Sequence, residues 1–391
     1  MYVNSNWQEV SIRLVLVLVG LGFWHGVLNL IVFPLLVVAW IMDGGLLRLR
    51  QTIREPLVQA LLLLCLLLIV GLSWSGQFED DRMKWVKYFM LLIFVPYYSL
   101  LNQQRLPWAL VGLILGYVAV LILGMYQLIA LDTQGVPLLA MSYLGFSAML
   151  GVGFVTLIGV SCMSRSLFVQ ALLWILAFAI LLIQFYQNSR VFLCAALIAA
   201  VAMFFCYYRG QRLRLATVLL SLLTVTIIFA LNSTVFQERW VQAKSDFEWM
   251  QQGHYDSSLG YRIAMWDVGL HGIAERPLLG HGTGAAAGYF EKTIQSYKEG
   301  RYKDLPRFQE TAHYHNDWIE IGMHLGLLGM SALVFLFWSW YRILEKNGLA
   351  ILGIGLMSYV LVAGLADTFL IFSRTSLFLL MMTAIAMRWR E

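Results

Sequence analysis

"HYHNDWIEIGMHLGLLGMSALVFLFWSWYRILEK", residues 313–346, reads in three parts. A polar mouth holding His313, His315, Asn316 and Asp317 opens onto a long apolar run, which closes on Arg342 and Lys346. A spanning helix needs about 20 apolar residues, and this run supplies them. The stretch is therefore a membrane helix with ionisable groups at one end and basic residues at the other. Ionisable groups at a membrane edge are costly to place, so the polar mouth is the first candidate for function.

The rest of the chain agrees with a membrane reading. Of 391 residues, 60% are hydrophobic and 13% charged, with a mean hydropathy of +0.73. Soluble domains carry about 25% charged residues. The net charge of +5 is set by sidedness in such a chain and is no nucleic-acid footprint. Cys65, Cys162, Cys194 and Cys206 all fall in apolar runs, which supports neither a disulfide framework nor a cysteine zinc site. The opening "MYVNSNWQEVSIR" lacks a signal-peptide layout, so the first helix is expected to stay as an anchor. Trp74, Trp85, Tyr97 and Tyr98 read as interfacial belt residues.

The fold class expected is an all-α polytopic membrane protein. About twelve apolar runs centre on 10–24, 27–42, 56–74, 85–101, 107–130, 142–163, 167–186, 191–208, 214–231, 316–341, 349–366 and 374–388. Three segments follow: helices 1–9 over residues 1–231, a large polar loop over 232–315, and helices 10–12 over 316–391. Arg48, Arg50, Arg54, Arg105, Arg165, Arg209, Arg212, Arg214, Arg342, Lys346, Arg388 and Arg390 gather in one set of loops. The positive-inside rule puts that set and both termini in the cytoplasm and the 232–313 segment outside.

That segment is too long for a connector. Phe236, Trp240, Ala243, Phe247 and Met250 form one helical stripe, which lies along the membrane surface or packs on the rest of the loop. Ser257 or Ser258 offers an N-cap to a helix in which Arg262, Trp266, Gly269 and Ile273 share a face. Pro277 and the glycines at 280, 282 and 284 end it. An arginine near a helix N-terminus suits an anion, and it is also an ordinary solvated charge. "GHGTG" lacks the Lys-Ser/Thr end of a phosphate loop, so no nucleotide cofactor is expected. Arg190, in "YQNSR", reads as an external interfacial anchor that snorkels to the headgroups.

His315, Ile319, Gly322, Gly326 and Gly329 follow one another at helical spacing. The glycines form a stripe below the histidine that admits a close neighbour and is expected to hold the helix rigid. An imidazole near neutral pH suits a general base that deprotonates a hydroxyl. The alternatives are a helix cap from Asn316 or Asp317, and a metal site. His313 and His315 would diverge on a helix, and the chain contains no Asp-x-Asp, so no metal is expected.

These residues resemble a family. "HNDWIEIGMHLGLLG" (315–329) resembles the His-Asn, nine-residue, Gly-x-x-Gly signature of the O-antigen ligases. "YRIAMWDVGLHGIAERPLLGHGTG" (261–284) resembles their Arg-x-x-x-Trp and Pro-Leu-x-Gly-x-Gly stretch, and "NSR" (188–190) their Ser-Arg. Asn188 departs from the small residue or Thr that is usual there. The resemblance implies a GT-C-like inner-membrane glycosyltransferase that is inverting and metal-independent. It would move a glycan from undecaprenyl diphosphate to a sugar hydroxyl of lipid A–core. His315 would be the base and Arg190 and Arg262 the diphosphate ligands. Gly322, Gly326 and Gly329 would support the helix, and Asn316, His313, Tyr261 and Arg82 are secondary candidates. Rival readings are an O-antigen polymerase, a protein O-oligosaccharyltransferase and a flippase.

Overall fold

The computed structural model describes residues 6–75, 84–305 and 313–389; Arg82 and the acidic residues at 79–81 lie outside them. The apolar runs fold as helices because a lipid environment leaves the backbone no other way to satisfy its N–H and C=O groups. In chain order they are α1 (Asn6–Gly22), α2 (Asn29–Met42), α3 (Gly45–Thr52), α4 (Pro56–Gly71), α5 (Phe94–Leu100), α6 (Leu106–Leu131), α7 (Tyr143–Met163), α8 (Leu167–Phe185), α9 (Arg190–Tyr207) and α10 (Arg212–Asn232). Within the polar segment come α11 (Thr234–Gln251), α12 (Ser258–Glu275) and α13 (Ala286–Thr293). α14 (Asp317–Lys346), α15 (Ala350–Ala366) and α16 (Ser373–Trp389) finish the bundle. Among the described residues the only β pairing is an isolated bridge between Val136 and Met141.

Local sequence sets several of the helix starts. Ser142, Ser166, Ser233 and Ser257 each accept a backbone N–H from their own first turn, a contribution of about 1 kcal/mol per cap. α4 and α6 place a proline in the first turn, where its missing N–H is harmless.

This is a multi-pass membrane protein, but the helices differ in length more than the twelve runs suggested. Among the described residues, seven are long and apolar enough to cross a membrane, and eight if α2 and α3, bent by 94°, count as one. α1, α15 and α16 have 17 residues each, which reach only about 25 Å. The run at 85–101 is a 3-10 helix (Lys84–Ile93) continued by α5. Trp85, Tyr97 and Tyr98 do not form a belt; all three are buried inside the protein. Tyr98 stacks on Phe94 and lies under the Arg388 guanidinium.

α1 packs on α6, α9 on α15, α7 on α8, and α14 on α4 and α15. α7 is central, with 72% of its apolar window buried, whereas α10 has 6% and shows its sides outward. Two apolar cores result. The larger fills the bundle, and a smaller one inside the loop joins Ala264, Met265, Val268 and Phe290 to Tyr314, Ile319 and Met323. The first turns of α14 thus belong to the loop core and the later turns to the bundle core. α11 anchors its stripe to the bundle core through Phe236, which packs on Phe185, and leaves the rest outward: Trp240 is 67% and Phe247 50% exposed, and the buried residue on that helix is Asp246.

At the bundle end away from the loop, Arg105 is 5% exposed. It donates to Glu9 (2.6 Å) and to both oxygens of Asp43 (2.8 Å each), and Arg48 also pairs with Asp43. Two of the basic residues that mark sidedness are therefore members of a buried ion network rather than free flanking charges.

Candidate active site

Asn316 caps α14. Its Oδ1 accepts from the N–H groups of Trp318 (2.9 Å) and Ile319 (3.1 Å), and its Nδ2 donates to the Leu365 carbonyl (2.8 Å). One residue earlier, His315 sits outside the helix with φ +49°, a left-handed conformation uncommon for side chains other than glycine. That turn brings the two imidazoles together, ring centroids 4.0 Å apart. The divergence expected of His313 and His315 on a helix does not arise, because neither is on one.

His315 Nδ1 lies 2.9 Å from Asp367 Oδ1. Asp367 is fully buried at the end of α15 and also accepts the Thr368 N–H (2.8 Å). Burial alone would raise its pKa. The His315 hydrogen bond and nearby positive charge, Arg262 included, outweigh burial and bring it down to about 2, so Asp367 is a carboxylate at any physiological pH. Burial holds the pKa of His313 well below the ordinary histidine value, so it is neutral; its Nδ1 accepts the His315 N–H (3.2 Å) and lies 3.2 Å from the Thr368 hydroxyl.

Two buried acids fix both sides of this pair. Asp317 accepts the N–H groups of Phe369 (3.1 Å) and Leu370 (3.3 Å), which pins the turn after Asp367. Glu320 accepts the Tyr314 N–H (2.8 Å), which pins the segment before His315. From α12, Trp266 Nε1 donates to the carbonyls of Tyr314 (3.0 Å) and His315 (3.3 Å). The Arg262–Trp266–Gly269–Ile273 face is the one packed here: a side chain at Gly269 would strike Ile319 and Tyr314.

The arginines converge from two elements. Arg262 is half-buried in the opening turns of α12 and its charge reaches Asp367. Arg190 begins α9, donates to the Arg239 carbonyl (2.6 Å), and lies within electrostatic reach of Arg262, Arg239 and Asp246. Among the described residues neither arginine has an ion-pair partner. Asn188, the departure noted in "NSR", accepts from Arg239 (2.5 Å) and ties α11 to the start of α9. Tyr261 sets its ring edge-on to Phe290 in the loop core.

The glycine stripe is not a continuous support. Gly326 has φ +60° and ψ −150° and breaks α14, a conformation essentially confined to glycine. Across the break, the Pro277 and Leu278 carbonyls accept from Leu327 (2.7 Å) and Leu328 (3.3 Å), while His281 and Gly282 donate to Met323 (2.8 Å) and His324 (3.1 Å). Gly280 meets Gly326 backbone to backbone; a Cβ on either would come within 2.7 Å of main-chain nitrogen. Gly322 admits Ile273 of α12, and Gly329 faces Leu325 and Ile321 of its own helix. The two glycine motifs are therefore halves of one joint between loop and bundle.

Chemically, the arrangement is a base held by a carboxylate, with cations nearby for an anionic group. One ligand atom each from His313, His315 and Asp367 lie within 4.8 Å of one another, a set that also suits a cation. Sequence reasoning does not single out Asp367, because it lies 52 residues from His315. The available signal was its place at the end of an apolar helix on the loop face.

Residues 171–334 match the O-Antigen ligase family model. The chain is 27% identical over 194 residues to the O-antigen ligase of Escherichia coli strain K12, covering 48% of this chain and 44% of that protein. It is 28% identical over 141 residues to an uncharacterized protein of Haemophilus influenzae, covering 34% and 33%. These matches span less than half the length of either relative.

Proposed function

We propose that this chain, whose residues 171–334 match the O-Antigen ligase family model, is an inverting glycosyltransferase of the inner membrane with its site on the periplasmic face. The donor is a glycan on undecaprenyl diphosphate and the acceptor a sugar hydroxyl of lipid A–core. The 2.9 Å contact between His315 and Asp367 beside Arg262 carries this reading.

Asp367 accepts the Nδ1 proton, which leaves Nε2 of His315 to take the proton of the acceptor hydroxyl. The acceptor oxygen then forms a bond to the anomeric carbon as the carbon–oxygen bond to the diphosphate breaks, in one displacement that inverts the centre. Arg190 and Arg262 hold the diphosphate and stabilise the charge that grows on it as it leaves. The sugar–diphosphate bond is the energy source, so no nucleotide is needed. Arginines supply the positive charge a metal would otherwise bring, and the reading is metal-independent. Tyr261 is assigned to the donor side.

Purified protein given lipid-linked glycan and lipid A–core, without nucleotide, should join them and release undecaprenyl diphosphate. Inertness toward both lipids would sink the reading. Activity lost in EDTA and restored by a divalent ion would assign His313, His315 and Asp367 to a metal instead. Joining two lipid-linked glycans would identify a polymerase, and glycosylating Ser or Thr an oligosaccharyltransferase.

A further inference from the structure

A second basic site lies beside the first. Lys87 and Arg374 border a cavity of about 330 Å³ whose wall includes Asn29, Ser142, Ile371 and Phe372. Ile371 and Phe372 belong to the same turn that Asp367 opens, and the charge of Lys87 reaches His313. The cavity therefore adjoins the His315–Asp367 pair. It shares no lining residue with the arginine pair: Arg262 acts on Asp367, whereas Lys87 acts on His313. One loop serves both places. Gln134 accepts the Asn188 N–H (3.0 Å) next to Arg190, and the Leu139 carbonyl accepts from Arg374 (2.9 Å).

Lys87 and Arg374 lie close enough to repel, and among the described residues neither has an ion-pair partner. Two like charges held together without an acid cost folding free energy, which a bound anion would recover. A phosphate carries close to two negative charges near neutral pH, matching the two cations, whereas a carboxylate would leave one unbalanced. The surroundings are apolar: Leu30 is 75%, Val86 43% and Leu138 63% exposed, next in sequence to Asn29, Lys87 and Leu139. An anion reaching this cavity arrives along a lipid-facing surface, so it is itself lipid-attached.

We propose that the Lys87–Arg374 cavity binds a phosphate group of the acceptor glycolipid and thereby seats the acceptor hydroxyl against His315. The proposal rests on the transferase reading and deepens it with an acceptor subsite.

The test uses the full chain in lipid nanodiscs, with lipid A–core in native and enzymatically dephosphorylated forms. Because Arg374 also holds Leu139, Lys87→Gln is the deciding variant and Arg374→Lys its companion. Lys87→Gln should raise the acceptor KM about tenfold, as expected for one lost charge-assisted bond, and leave the donor KM unchanged. The dephosphorylated acceptor should bind poorly to the wild type and show no difference between wild type and variant. Arg374→Lys keeps the charge and should raise the acceptor KM less. Binding of each lipid form is also read directly by native mass spectrometry, which needs no turnover. A protein that transfers nothing yet binds phosphorylated lipid A–core through Lys87 would fail the transferase reading and keep the subsite. An unchanged acceptor KM, a shift in donor KM instead, or equal binding of both lipid forms would overturn the subsite. So would competition by millimolar inorganic phosphate as strong as that by the lipid, which would make free phosphate the ligand.

Discussion

At the end of the bundle away from the loop, Arg105 meets Glu9 and Asp43 and is neutralised where it is buried. At the loop face, Arg190, Arg262, Lys87 and Arg374 gather around a histidine–carboxylate pair, and none of them has an ion-pair partner among the described residues. Both regions cost free energy to desolvate. Only the first recovers that cost within the chain, by hydrogen-bonding every charge it buries. The second leaves positive charge for something the chain does not contain. A closed network holds helices together, whereas an open one is a candidate binding site.

If the contrast is right, the largest effect belongs to the base. His315→Ala should lower glycan transfer by about 10²–10⁴-fold while membrane insertion stays near wild type and the melting temperature falls modestly, because Asp367 loses its hydrogen bond; transfer at the wild-type rate would remove His315 from the chemistry. Asp367→Asn comes close behind. The amide no longer holds the ring with the Nδ1 proton inward, so transfer should fall by about 10²-fold or more, and a fully active Asn variant would show that the pair is only structural.

Arg190→Ala and Arg262→Ala should each slow transfer by about 10²-fold. The matching lysine variants should recover part of that, because a point charge cannot reproduce a bidentate fork. At the other end the pattern reverses. Arg105→Ala leaves Glu9 with Arg13 and Asp43 with Arg48, so it should cost about 1–3 kcal/mol of stability, read as a lower melting temperature, with transfer per folded molecule unchanged. Loss of turnover in folded Arg105→Ala protein would break the comparison.

The smallest effect is in pH. The pKa of Asp367 is depressed to about 2 in the folded protein against roughly 4 when unfolded. Its stabilising contribution is therefore complete above pH 4 and lost as pH falls from 4 to 2. Melting curves in detergent should show that acid-side loss in the wild type, reduced in Asp367→Asn; identical curves would mean that the carboxylate is not held as described.

Much of this was readable beforehand. Apolar runs marked the helices, the serines at 257 and 258 the start of α12, and the polar mouth at 313–317 the candidate site, each through a local rule that needs only neighbouring residues. His315, Arg190 and Arg262 were legible because their spacing resembles a family pattern. The rest depended on residues that meet only after folding. Asp367 reaches His315 across 52 positions. The two glycine motifs look like separate turns until Gly280 and Gly326 meet backbone to backbone. Arg105 reads as a flanking charge until Glu9 and Asp43 close on it.

The sequence by itself determined a helical membrane chain, a polar segment on one face, and the residue types a glycosyl transfer would need. Hydrophobic run length and capping are local and act on each helix separately. Tertiary structure decided how those residues meet: a left-handed turn at His315, a broken α14 stitched to the loop, and a carboxylate held ionised where burial alone would protonate it. These depend on charges and backbone groups brought together from distant positions. Electrostatic energies vary with separation and burial, and neither quantity exists until the chain has packed.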